Sequence, residues 1–229
     1  MSAIALRLAE IRERIAAAAG RAGRDPAAVR LVGASKTQPA ESLRAAYDAG
    51  LRRFGENRVQ EAQAKAAALP ADVEWHLLGP LQSNKARPAV ALFTRFHAVD
   101  RVKIARALDA EAAAQGRLVR GLVEINLGGE TSKHGFDPAT VADAIAPLAE
   151  LAHLRLEGLM AIPPPGPTPE ASRQHFRRLR ELRDALDARP EWSGRLVELS
   201  MGMSDDFEIA VEEGATYVRV GTRLFGPRT

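Results

Sequence analysis

Residues 30–40 read RLVGASKTQPA, an apolar and small run through Leu31, Val32, Gly33 and Ala34 that delivers Ser35 and Lys36 just before a turn ending in Pro39. The run has the texture of a buried strand, and the stretch from Ala40 has helical spacing, so the segment reads as one βα unit. The reading repeats along the chain. Further strands are expected near RFGEN (53–57), EWHLLG (74–79), RFHAVD (95–100), GLVEINLG (121–128), RLEGLMAIP (155–163), RLVELSMG (195–202) and YVRVGT (217–222). Helices are expected from Ala40, Arg58, Asn84, Arg101, Pro138, Thr168 and Asp205. Eight βα repeats with right-handed crossovers predict an α/β fold, a single (β/α)8 barrel over residues 1–229 with an extra N-terminal helix. An open doubly wound sheet holds the same count, but no G-x-G-x-x-G follows the first strand. The Pro-rich IPPPGPTPE, Ile162 to Glu170, reads as a long loop at the barrel mouth because strand and helix patterns continue on both sides of it.

Composition narrows the function classes. The 229 residues carry 32 basic and 29 acidic side chains, a net charge of +3, and the basic residues are spread along helices without interleaved aromatics. Nucleic-acid binding is therefore not expected. The absence of cysteine removes disulfides and thiolate chemistry. The first twenty residues carry charges throughout, unlike a signal peptide, and no apolar run approaches the roughly 20 residues of a membrane helix. A cytoplasmic protein with no membrane contact is expected. The five histidines, at 76, 97, 134, 153 and 175, form no H-E-x-x-H pair and no metal site is expected from them.

A barrel of this kind carries its chemistry at the C-terminal strand ends. Alternation puts Lys36 on the face of Val32 and Ala34, Asn57 with Gly55, His76 with Leu78, and Asn126 with Glu124. If these faces point inward, the mouth holds a lysine, two amides and an imidazole above an apolar floor, with His76 a hydrogen-bonded mouth residue. A lysine there is a nucleophile toward aldehydes, which fits either a class I aldolase or pyridoxal phosphate held as a Schiff base. The chain's last two strands place Ser200, Arg219, Gly221 and Thr222 at neighbouring strand ends, where barrel enzymes often bind phosphate. Asp205 reads as the start of an Asp-x-x-Glu capping box, and Ser204 fits capping and ligation equally. Gly214 reads as a helix C-terminal cap.

SKT at Ser35, FGENRVQE at Phe54, WHLLGPLQSNK at Trp75, SKHGF at Ser132, GLMAIP at Gly158, LSMGMSDD at Leu199 and VRVGTRLFG at Val218 together resemble the pyridoxal phosphate homeostasis protein family. That family is similar in fold to the barrel domain of alanine racemase. The resemblance implies that Lys36 carries pyridoxal 5′-phosphate as an aldimine and that Ser200, Gly221 and Thr222 hold its phosphate, with Ser204 beside them. It also implies Arg219 opposite the pyridine nitrogen and Asn57 near the ring. Gln38 stands where some members have a second lysine, and His134 follows Lys133 where a small residue is frequent. Lys133 is either a relay or regulatory lysine or a plain loop residue.

An arginine at the pyridine nitrogen keeps its proton, so the ring is a weak electron sink. No second domain is expected after the barrel to add acid–base residues. The expectation is therefore a monomeric carrier in vitamin B6 and amino-acid homeostasis, with transient contact to cofactor-requiring apo-enzymes and no catalytic residue of its own. The alternative is a weak pyridoxal-phosphate-dependent amino-acid racemase.

Overall fold

A computed structural model describes residues 2–128, 134–164 and 166–226. Eight parallel strands close into a barrel in sequence order: β1 (Arg30–Ala34), β2 (Arg53–Glu56), β3 (Glu74–Leu77), β4 (Arg95–Val99), β5 (Val119–Glu124), β6 (Leu154–Met160), β7 (Glu198–Ser200) and β8 (Tyr217–Val220). β8 pairs with β1 over Arg30↔Tyr217 to Gly33↔Val220, which closes the ring. The barrel read from the βα repeat is the barrel observed. Outside it lie α1 (Ala3–Arg21), α2 (Ala40–Asp48), α3 (Val59–Ala66), α4 (Ala86–Leu92), α5 (Val102–Ala114), α6 (Val141–Ile145), α7 (Arg173–Asp187), α8 (Phe207–Glu212) and α9 (Thr222–Phe225). The helix α1, capped at Ser2 by its hydroxyl accepting from Ala5 N at 3.2 Å, packs on α8, α2 and α9.

Some boundaries shift for local reasons. Before α4 and α7 the chain makes 3-10 turns, Ser83–Lys85 and Pro169–Ser172, the second starting at a proline whose fixed φ suits a first turn. The Asp205 capping box does not form. The N-cap of α8 is Asp206, whose Oδ1 accepts from Met203 N at 2.7 Å, and Glu208 instead meets Arg14 of α1. Gly214, at φ +109°, follows the end of α8 in the left-handed region, as its sequence position predicts.

The main core lies between barrel and helices, with Phe54, Phe93, Phe96, Phe176, Phe207 and Trp192 buried in it. A smaller apolar group, Val32, Ala98, Leu122, Met160 and Tyr217, sits apart from it. The floor is not apolar as expected. Arg30 pairs with Glu198, Arg53 with Glu74 at 3.0 Å and Arg95 with Glu157 at 2.7 Å, mostly at the first residues of their strands. The Arg30 guanidinium also lies 4.1 Å from the Tyr217 ring centroid. Packing at the β6–β7 pair is close: a Cβ at Gly158 would stand 1.9 Å from Glu198 O, so no larger residue fits there.

Candidate functional site

A cavity of about 330 Å³ opens at the C-terminal ends of the strands. Lys36, Asn57, Ser204, Arg219, Gly221 and Thr222 all line it, together with Gln38, Leu78, Glu124, Ile162, Met203 and Asp205. Six of the seven residues singled out from the sequence thus meet at one mouth. Lys36 arrives there on a turn fixed from below. Ser35 is buried, its Oγ donates to Glu56 Oε1 at 2.6 Å, and Lys65 Nζ donates to both Ser35 O (2.8 Å) and Glu56 Oε1 (2.7 Å). Thr37 directly after Lys36 has φ +65°, a conformation costly for a β-branched residue and one that persists only where neighbours impose it.

Ser200 departs from its expected place. Its side chain is fully buried and does not line the cavity; Oγ lies 2.7 Å from His97 Nδ1 and accepts a hydrogen bond from Arg219. The hydroxyl supports the arginine from inside the barrel. Ser204, carried past the strand end by the turn that follows β7, takes the mouth position, and its Oγ accepts from Arg223 N at 3.4 Å. His76 also departs: it is buried, with Nδ1 2.9 Å from His97 Nε2 and its ring against Tyr217, below the mouth.

Arg219 is almost wholly buried, with no carboxylate in direct contact among the described residues. Its NH2 donates to Ala161 O at 3.1 Å. Burial lowers its pKa to about 10, opposed by the charges of Asp206 and Glu124, so it remains a cation at neutral pH. Only two of its five N–H donors meet described protein acceptors, which leaves donors for a ligand at the cavity wall. At Gly221 a Cβ would stand 3.1 Å from Ala34 O, so glycine lets the chain pass close to the end of β1.

Sequence reasoning missed Glu124 as a site residue. Burial, and then the charge of Asp100, push its pKa up to about 7, against His134 and Arg219; its buried Oε2 has no hydrogen-bond partner. The alternation that put Glu124 beside Asn126 was the available signal. Beside this cavity, and sharing Asn57 and Pro80 with it, lies a cleft of about 510 Å³ lined by Arg58, Lys85, Arg101 and His134. His134 Nδ1 is 3.1 Å from Asp100 Oδ2. Lys133 lies outside the described residues.

The alanine racemase N-terminal domain model matches residues 6–229. The pyridoxal phosphate homeostasis protein of Pseudomonas aeruginosa is 48% identical over 233 residues, covering 100% of this chain and 97% of that protein. The chain belongs to this family. The family member of Aquifex aeolicus is 45% identical, with 97% of each chain covered. Among solved structures, family member PipY of Synechococcus elongatus with pyridoxal phosphate bound is 44% identical, with TM-score 0.85, covering 97% of this chain and 100% of that one. Alanine racemase of Streptomyces coelicolor, 22% identical with TM-score 0.66, shares the fold over 58% of its own length.

Proposed function

We propose that this chain binds pyridoxal 5′-phosphate in the mouth cavity and serves intracellular vitamin B6 and amino-acid homeostasis, holding the cofactor reversibly at Lys36 and buffering or delivering it. The observation that carries the reading is one cavity holding a lysine amine, a buried arginine with unspent donors, and Ser204 after β7 with Gly221 and Thr222 after β8. The pyridoxal phosphate bound to PipY supports it. The residues fit the ligand. Gly221 lets the chain pass close to the end of β1 at the cavity wall, and Ser204 and Thr222 add hydroxyls for a phosphate. The bound group supplies an aldehyde carbon to which amines add reversibly.

The chain's own residues then set the outcome. The turn locked by Ser35, Glu56 and Lys65 aims the Lys36 amine into the mouth. Arg219 offers a hydrogen bond but keeps its proton, which disfavours carbanion chemistry and favours carriage over turnover. The cations of the adjoining cleft draw anionic ligands toward the mouth. Amines or a lysine of an apo-enzyme reach the same opening, and we place the protein in the cytoplasm as a monomer.

The test is an absorption spectrum of the protein with added pyridoxal phosphate, followed by borohydride reduction and peptide mass mapping. A visible band with the reduced adduct on Lys36, absent in Lys36→Ala, is the expected result. No band, or adducts scattered over surface lysines, would overturn the proposal.

A further inference from the structure

A chain of polar groups, buried above its first member, climbs through the barrel. Glu74 Oε2 at the floor is 3.9 Å from His76 Nε2; His76 Nδ1 is 2.9 Å from His97 Nε2; His97 Nδ1 is 2.7 Å from Ser200 Oγ; and Ser200 Oγ accepts from Arg219 at the mouth. His76, His97 and Ser200 are all buried. Buried histidines 21 residues apart in sequence become neighbours because β3 and β4 pair as His76↔Arg95, which sets His97 one layer higher.

The donor and acceptor rules fix the direction of this chain. A guanidinium only donates, so one lone pair of Ser200 Oγ is taken by Arg219. The hydroxyl proton then has one other partner within reach, His97 Nδ1, and pointing it there leaves no buried donor unused. His97 therefore accepts at Nδ1 and carries its hydrogen on Nε2, which donates to His76 Nδ1. His76 in turn carries its hydrogen on Nε2, directed toward Glu74. The links from Arg219 through Ser200 and His97 to His76 are satisfied with both imidazoles uncharged, and a cationic His97 would put Nδ1–H against a hydroxyl already facing Arg219.

We infer that Ser200, His97 and His76 form a directed, neutral hydrogen-bond relay that positions the Arg219 guanidinium at the cavity wall. The relay occupies one donor of Arg219 and Ala161 O a second, so the guanidinium plane is held at two points. Ser200, His97 and His76 are thus positioning residues acting through Arg219. Desolvation keeps both imidazoles uncharged at neutral pH: His76 is lowered to about 4 and His97 is lowered well below its ordinary value. The relay's effect on a bound cofactor rests on the proposed function; its existence does not.

The test begins with the cofactor-free protein. Nitrogen-15 NMR at pH 7 is expected to show His76 and His97 neutral with hydrogen on Nε2, and the Arg219 guanidinium N–H groups that donate to Ser200 and Ala161 protected from solvent exchange. In His97→Phe that protection is expected to fall at least tenfold, and in His97→Gln, which keeps an acceptor toward Ser200, most of it is regained. An imidazolium, an Nδ1–H tautomer at His97, or Arg219 protection unchanged in His97→Phe would overturn the relay, whether or not the protein binds pyridoxal phosphate. Circular dichroism of His97→Gln checks that the barrel is intact. With cofactor added, a band position shifted in His97→Phe and restored in His97→Gln extends the relay to the ligand. Absence of any band in the wild type counts against the proposed function alone.

Discussion

Glu124 faces the mouth with a carboxyl that burial and Asp100 hold at about 7, while His134 and Arg219 act in the opposite sense. Its folded-state value is above the unfolded one, so between about pH 4.5 and 7 the folded protein keeps a proton that the unfolded chain has released. The contribution to stability is full below that window and falls as pH rises through it. Glu124→Gln is expected to be more stable than the wild type at pH 8 by roughly 1–3 kcal/mol and nearly equal to it at pH 4.5. Urea unfolding at the two pH values measures this, and equal gains at both would refute the assignment. Individual residues were unevenly legible in the sequence. Lys36, Asn57, Arg219, Gly221 and Thr222 stand at or near strand ends, where alternation points to the first two and the end of the last strand to the other three. Ser200 misled because β7 spans three residues, too few for alternation to show which layer of the barrel its last side chain enters.

At the scale of elements, the turn between β1 and α2 depends on a buried ion pair. Lys65 has 13% of its side chain exposed and Glu56 none. Removing one partner strands the other, and Glu56→Leu is expected to cost about 3–5 kcal/mol in urea unfolding. The double substitution Glu56→Leu with Lys65→Met is expected to recover most of that loss; a double variant no better than the single would show that the pair does more than satisfy itself. The β6–β7 pair gives a sharper case. Gly158→Ala pushes a methyl into the Glu198 backbone and is expected to cost more than about 4 kcal/mol or prevent soluble expression, where most surface Gly→Ala changes are nearly neutral. Strand positions were readable because a βα repeat alternates apolar runs with amphipathic ones. Helix starts were less so, since α4 and α7 are each preceded by a 3-10 turn, the second begun by Pro169, that periodicity does not register. The polar barrel interior was unreadable for a different reason: its contacts join different strands, several of them not neighbours in the sheet, and no single strand specifies that arrangement.

For the whole molecule, the two buried histidines set the acid response. Desolvation lowers both, His76 with Arg95 and Arg53 against the raising effect of Glu74, and His97 with His76, Arg219, Arg95 and Arg30. Unfolding lets each take up a proton, so their contribution is full above about pH 6.5 and is lost as pH falls toward 4, by up to about 1.4 kcal/mol per pH unit for each group. Glu124 acts oppositely over part of that window but releases one proton against two taken up. Thermal unfolding followed from pH 7 to 4.5 is expected to show the melting temperature falling, with a shallower fall in His97→Gln; a flat profile would contradict buried neutral imidazoles. Closure of the ring has a further consequence. The partner of β1 on one side is β8, each residue made 187 positions after the one it pairs with, as in Arg30↔Tyr217 and Gly33↔Val220, and α1 rests on α8 and α9 from the same late part of the chain. While translation is under way, the nascent sheet keeps an unsatisfied edge at each end, open to pairing with other chains, until Tyr217–Val220 clears the ribosome.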